Sequence, residues 1–311
     1  MRNGIDRDGT GPLLAGEERF ISTRPTGSSE TVEASNGRDC DFVTWTKAEA
    51  EPTVATEQQA ISTFFICLYE SALRLSQFQL YEQAIPRAVL ANQLAPERSD
   101  ILLLLGTLYL QNQKSDKSIE ILKKAQALAP KDPNVLLSLG TAFFQKGSYP
   151  QAIEQLQAGL KINPTSVPGL FDLGNAYYRS KRYPEAISTY EKSVQQKKDF
   201  WPALNNIGLI SYETNNLSNA VKYWQQAISI EKKAAEPQLA LAVALYQQGK
   251  QEEAYKLGET ALRNDSRYAS IDYLKENLWG EKLVNHTQGF LRTPRIKAVL
   301  TLGSPEKSPT P

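Results

Sequence analysis

ILLLLGTLYL (Ile101–Leu110), VLLSLGTAFF (Val135–Phe144), GLFDLGNAYY (Gly169–Tyr178) and ALNNIGLISY (Ala203–Tyr212) carry one pattern through the middle of the chain. In each, a glycine follows Leu or Ile, and Gly106, Gly140, Gly174 and Gly208 stand 34 residues apart. A period of this size marks short helical units that stack, because one helix pair cannot bury its apolar face alone. Counting each unit from seven residues before its glycine gives six abutting units, 65–98, 99–132, 133–166, 167–200, 201–234 and 235–268.

The columns of this alignment have a packing reason. Two antiparallel helices approach closely only where one side chain is nearly absent. The small column of the first helix is Ala72, Gly106, Gly140, Gly174, Gly208 and Ala242. Opposite it stand Ala84, Ser118, Ala152, Ala186, Ala220 and Ala254, and further along the second helix Ala91, Ala125, Gly159, Ser193, Ala227 and Ala261. Large apolar residues recur three apart (Leu102 and Leu105, Leu136 and Leu139, Leu170 and Leu173, Leu204 and Ile207), as a one-sided buried stripe requires. Second-helix anchors are Leu122, Leu156, Tyr190 and Trp224. Pro133, Pro168 and Pro202 sit where first helices begin and a missing amide hydrogen is harmless, and Pro150 and Pro184 open second helices likewise. The edges depart from the pattern. Pro86 falls inside an expected second helix, which it should kink or delay, and Gln238 and Gly258 replace large anchors in the last unit.

The 34-residue period with these columns resembles the tetratricopeptide repeat. That resemblance implies an all-α, right-handed superhelical solenoid of about six helix-turn-helix units, with capping helices after residue 268. It also implies that first helices line a concave groove into which unit positions 2, 5, 6, 9, 12 and 13 point. Transferred column by column, the expected partner-binding residues are Phe144, Phe171, Asp172, Asn175, Tyr178, Arg179, Asn205, Asn206, Leu209 and Tyr212, with Leu137, Ser138, Thr141 and Glu213 on the same face. Asparagine donates and accepts at once, which suits the main chain of an extended peptide, and the aromatic rings supply apolar area at low entropic cost. Family members that grip a chaperone's C-terminal carboxylate use a Lys/Asn, Asn, Lys/Arg set that no three consecutive units carry here; Phe171 stands where the lysine would be. The second unit is more apolar, with Leu103, Leu104 and Leu110 at groove positions.

Composition excludes other classes. The 311 residues hold 35 basic and 34 acidic side chains, a net charge of +1, so no overall electrostatic pull toward nucleic acid or anionic membrane is expected. Residues 1–57 are rich in Gly, Ser, Thr and acid, with one apolar island at Phe42, Val43 and Trp45, and read as a disordered acidic leader. Two cysteines, Cys40 and Cys67, make no disulfide framework, and the start of the chain lacks the apolar core of a secretory signal. The expectation is a cytoplasmic protein without a membrane span. His286 is the only histidine and has no ligand or catalytic partner beside it in sequence, and no phosphate-cradling glycine loop is present, so no enzyme, cofactor or metal is expected. After the array, Ser270–Trp279 reads as the capping helix, 281–291 and 296–302 as further helices expected to pack back on the array, and 303–311 as an unstructured tail. The reading is a non-enzymatic adaptor or scaffold that holds a peptide or helix of a protein partner. The alternative is a structural array that self-associates.

Overall fold

The computed structural model describes residues 30–34, 43–47 and 54–302. Two strands in the leader, β1 (Glu30–Ala34) and β2 (Val43–Lys47), pair antiparallel with Val32 opposite Trp45. The other expectations for residues 1–53, Cys40 and Phe42 included, and for 303–311 lie outside the described residues.

From Val54 onward every element is helical. The first pair is α1 (Val54–Gln77) and α2 (Tyr81–Leu94), and the second is α3 (Ser99–Gln111) and α4 (Ser115–Leu128). Then follow α5 (Pro133–Gln145) with α6 (Tyr149–Ile162), α7 (Val167–Arg179) with α8 (Tyr183–Gln196), and α9 (Trp201–Glu213) with α10 (Leu217–Ile230). The sixth pair is α11 (Ala235–Gln247) and α12 (Gln251–Asn264). Beyond a 3-10 turn at Ser266–Ala269 come α13 (Ile271–Glu276), α14 (Glu281–Leu291) and α15 (Pro294–Leu302). First helices begin on the first residue of each unit from the second pair on, in step with the glycines.

Local chemistry sets these bounds. The side chains of Asp132, Ser166 and Asn216 accept amide hydrogens from the opening turns of α5, α7 and α10, which have no partner inside the helix. Each pair turns on one left-handed residue at a fixed unit position. Gly147 and Gly249 take φ of 80° and 78° there, and Gln79, Gln113, Lys181 and Asn215 hold the equivalent place at 57–63°. Pro86 does not delay its helix, since α2 opens at Tyr81, the counterpart of Ser115 and Tyr149, and runs through the proline.

The small columns are fully buried at their alanine and serine positions. A Cβ built on Gly106 or Gly140 would fall 2.5 Å from the Cγ of Leu122 or Leu156, one on Gly174 2.5 Å from Cε1 of Tyr190, and one on Gly208 2.5 Å from Nε1 of Trp224. Each glycine therefore receives its own unit's anchor. In the sixth unit the anchor position is Gly258, and the space is filled from outside the unit: a Cβ there would meet Phe290 at 2.6 Å and Ile296 at 3.5 Å. The Phe290 ring also lies 5.3 Å from Tyr246 and 5.9 Å from Tyr255. The covering of the last pair expected of Ser270–Trp279 thus falls to α14 and α15. Arg295 ties α15 to Glu259 and Glu252 of α12 at 2.6 and 3.0 Å.

Cys67 in α1 is disulfide-bonded, which corrects the expectation that the two cysteines make no disulfide framework. Among the described residues no helix is long and apolar enough to cross a membrane.

Candidate partner-binding face

The polar residues of the first helices meet one another along the stack. Thr141 of α5 donates to Asp172 of α7 at 2.6 Å, and Asn206 of α9 donates to Asn175 of α7 at 3.0 Å. Both pairs span 31 residues, joining unit position 9 to position 6 of the next unit. Tyr190 donates from its hydroxyl to Asn175 Oδ1 at 2.7 Å, Asn206 Nδ2 also reaches that hydroxyl at 3.2 Å, and Asn205 Nδ2 donates to Asn206 Oδ1 at 3.2 Å. Asn175, Asn205 and Asn206 are all buried. Buried amides need such partners, since each left unpaired costs about 1–3 kcal/mol. The expectation that these three asparagines offer free amides to a peptide main chain is corrected: Asn175 and Asn206 bond to each other across neighbouring units, and Asn205 bonds to Asn206 within its own unit.

Position 5 also packs on residues of the array. Phe171 lies 5.7 Å from the Tyr190 ring and edge-on to Phe200 at 5.3 Å, both in its own unit. Leu137, one unit earlier, lies against Gly159 of its own unit and Gly169 of the next. Of the expected residues, Phe144 remains half-buried with its ring 5.7 Å from Tyr149, and Asp172 is half-buried.

The face formed by α7, α9 and α11 is covered by the chain's own C-terminal segment. Arg179 donates to the carbonyls of Lys275 and Glu276 at 2.9 and 3.0 Å, where α13 ends. Trp279 Nε1 donates to Glu236 at 2.9 Å. Glu213 accepts the amides of Lys282 and Leu283 at 3.3 and 2.9 Å, so its carboxylate closes the start of α14, where helix amides are unpaired and the helix dipole favours negative charge. Tyr212 Oη lies 2.6 Å from Nδ1 of His286, with the two rings edge to face. Tyr178, Leu209 and Tyr212 are buried in this half of the face. Two polar atoms there, Tyr178 Oη and Asn205 Oδ1, are buried without a hydrogen-bond partner.

The electrostatics follow from enclosure. Burial pushes the Glu236 carboxyl up to about 7, against the opposing hydrogen bonds from Trp279, Asn205 and Tyr268. Burial raises Asp172 to about 6, with the Thr141 hydroxyl opposing, and Tyr212 to about 12. Burial and the nearby Lys282 charge lower His286. Glu236 was absent from the expected set although it occupies unit position 2. The signal was present in its column, but a lone carboxylate there has no meaning until Trp279 is seen above it.

Models of the tetratricopeptide repeat match residues 77–139, 167–200 and 205–269, and a TPR repeat model matches 140–181. No match was found among curated proteins. Among solved structures, PilW, a widely conserved type IV pilus biogenesis factor, aligns with a TM-score of 0.60 and 16% identity over 76% of this chain and 98% of its own. A chain of the APC/C hetero-tetramer Cut9-Hcn1 aligns at 0.59 with 16% identity over 69% of this chain and 43% of its own. Pseudomonas aeruginosa pilF aligns at 0.51 with 18% identity over 66% of this chain and 97% of its own. At these identities the likeness is one of fold.

Proposed function

The chain belongs to the tetratricopeptide repeat family, and on that premise we propose that it is a non-enzymatic adaptor or assembly scaffold that holds an amphipathic helix of a protein partner. The reading locates the grip in the N-terminal half of the concave face. One observation carries it: Ile66 and Leu73 of α1 are 49% and 37% exposed at unit positions 2 and 9. The position-2 residue of the sixth unit, Glu236, is the one that Trp279 covers. Apolar side chains left exposed in such columns lose about 25 cal/mol for each Å² a ligand could cover. The other half of the face supports a helix as the occupant, since α14 packs on α9 and α11 there.

Ile66→Asp with Leu73→Asp in the full chain tests this reading. Both side chains are at the surface, so helix content by circular dichroism should stay as in wild type, while affinity capture followed by mass spectrometry should lose the partner that wild type retains. Capture that survives both substitutions overturns the reading.

A second reading, a self-associating structural array, is favoured by Phe78 and Leu80, which are 70% and 43% exposed at the first turn. Sedimentation separates the two: a mass that grows with concentration and falls on Phe78→Ser supports self-association.

A further inference from the structure

Each inner unit buries one edge of its first helix under the unit before. In α3, Ile101, Leu105 and Leu108 lie in one buried cluster with Ala84, Ala88 and Ala91 of α2. Val135 clusters likewise with Ala125 of α4, and a Cβ on Gly169 would lie 3.2 Å from Leu160 of α6. The same unit positions on α1 are held by Cys67, Ser71 and Arg74, and among the described residues no helix precedes α1 to cover them. Cys67 and the neighbouring Phe64 are nonetheless half-buried, and Cys67 is disulfide-bonded. A covalent bond thus leaves α1 at the position that inner units cover with a helix. Ile66 and Leu73, which the adaptor reading uses, belong to other columns of the same helix.

Cysteine content, strand register and chain reach point to the occupant. The chain's other cysteine is Cys40, in the connection between β1 and β2. The register pairs Val32 with Trp45 and Ala34 with Val43, and strand positions alternate between faces, so four apolar residues share one side of a two-stranded ribbon. Such a ribbon is marginal in water until that side packs on something. The tether is long enough. A helix rises about 1.5 Å per residue, which puts Cys67 about 20 Å along α1 from Val54, whereas the stretch from Cys40 to Val54 extends to about 46 Å.

We propose that the end face of α1 is a docking surface for this chain's own leader: the β1–β2 ribbon caps the stack where a preceding second helix would pack, and a Cys40–Cys67 disulfide fastens it there. A terminal unit needs such a cover, because one of its faces has no neighbour. The last pair is covered by α14 and α15, and the first pair by strands. The fastening is redox-sensitive. A dithiol reductant gives two electrons and two protons to the Sγ–Sγ bond, leaving two thiols on the chain and a disulfide on the reductant. The ribbon then keeps only its apolar side and a long tether, so reduction loosens the cap without unfolding the stack. The proposal goes beyond the adaptor reading and does not depend on it.

The test uses the full chain. Tryptic digestion without reductant should give peptides 39–47 and 48–74 linked through Cys40 and Cys67 of one monomer. Free thiols, or a covalent dimer, overturn the proposal. In deuterium exchange, the amides of Thr44–Thr46 in β2 and of Leu68–Ser71 in α1 should exchange about tenfold or more faster once dithiothreitol is added, while those of Ile207–Ile210 in α9 stay unchanged. Cys40→Ser should reproduce the reduced behaviour without reductant. A crosslink by itself slows exchange around it, so Trp45→Ser with the disulfide intact decides whether the ribbon docks. It should speed exchange at Leu68–Ser71 about threefold or more. Exchange there that Trp45→Ser leaves unchanged shows a tether without a cap and overturns the proposal. No cellular partner enters the experiment, so its outcome is independent of the capture test on Ile66 and Leu73.

Discussion

One methyl group is enough to discriminate at the helix contacts. Gly208 lies against the Trp224 indole, whose Nε1 donates to the carbonyl of Asn205 at 3.2 Å, so neither partner can give way freely. Gly208→Ala should therefore destabilise the chain by about 1–3 kcal/mol, read as a lower urea midpoint with an unchanged slope. Glu236 acts at the same scale through its proton. Its folded pKa of about 7 lies above the unincorporated value of 4.5, so the enclosed neutral acid contributes stability below about pH 4.5 that is lost as pH rises through 7. Asp172, raised to about 6, adds to the loss in the same direction. Glu236→Gln keeps an acceptor for Trp279 and removes the ionisation. Thermal melts should show it more stable than wild type at pH 8, with a flatter profile between pH 5 and 7.

At the scale of elements, the helix pairs were legible because their signals are local. A proline in the first turn, a small residue every unit and a stripe three apart are all contained within one helix. The left-handed turn was legible only at Gly147 and Gly249. Gln79, Gln113, Lys181 and Asn215 adopt the same conformation without a residue type that demands it, in turns closed by main-chain bonds back to the first helix, such as Lys114 to Tyr109 at 2.8 Å and Arg182 to Tyr177 at 2.9 Å. Pro86 shows the opposite case, a strong local signal overruled. It removes an amide inside α2, yet the packing of Ala84, Ala88 and Ala91 in the buried core keeps the helix in place. Because Pro86 is exposed, Pro86→Ala should restore the hydrogen bond with little lost packing. Its expected gain is about 1–3 kcal/mol, seen as a higher melting temperature and slower amide exchange in α2.

The whole molecule is a stack in which each unit leans on its neighbours, so damage should spread by adjacency. Phe290 is the sharpest case, since it stands over Gly258 in place of a missing anchor. Phe290→Ala should cost about 3–5 kcal/mol, and hydrogen exchange should show the loss concentrated in α11, α12 and the C-terminal helices, with α3 to α6 close to wild type. Uniform loss along the array would contradict the neighbour-by-neighbour account. The candidate site belongs to this scale as well. Ten residues were placed on one face by counting columns, and the counting was sound for which helices they lie on. It had no means of telling that Asn175, Asn205 and Asn206 bond to each other, that Phe171 faces Phe200, or that Tyr212 meets His286.

The repeat period, the small columns and the prolines settled the stack of helix pairs from the amino-acid order alone, because every contact they encode lies within a unit or one step away. Where the C-terminal segment docks on that stack was decided only in three dimensions. The bonds that hold it join Arg179 to Lys275 across 96 residues, Tyr212 to His286 across 74 and Glu213 to Leu283 across 70. Contacts that distant are made by single side chains meeting once, and a pattern that occurs once leaves no period to read.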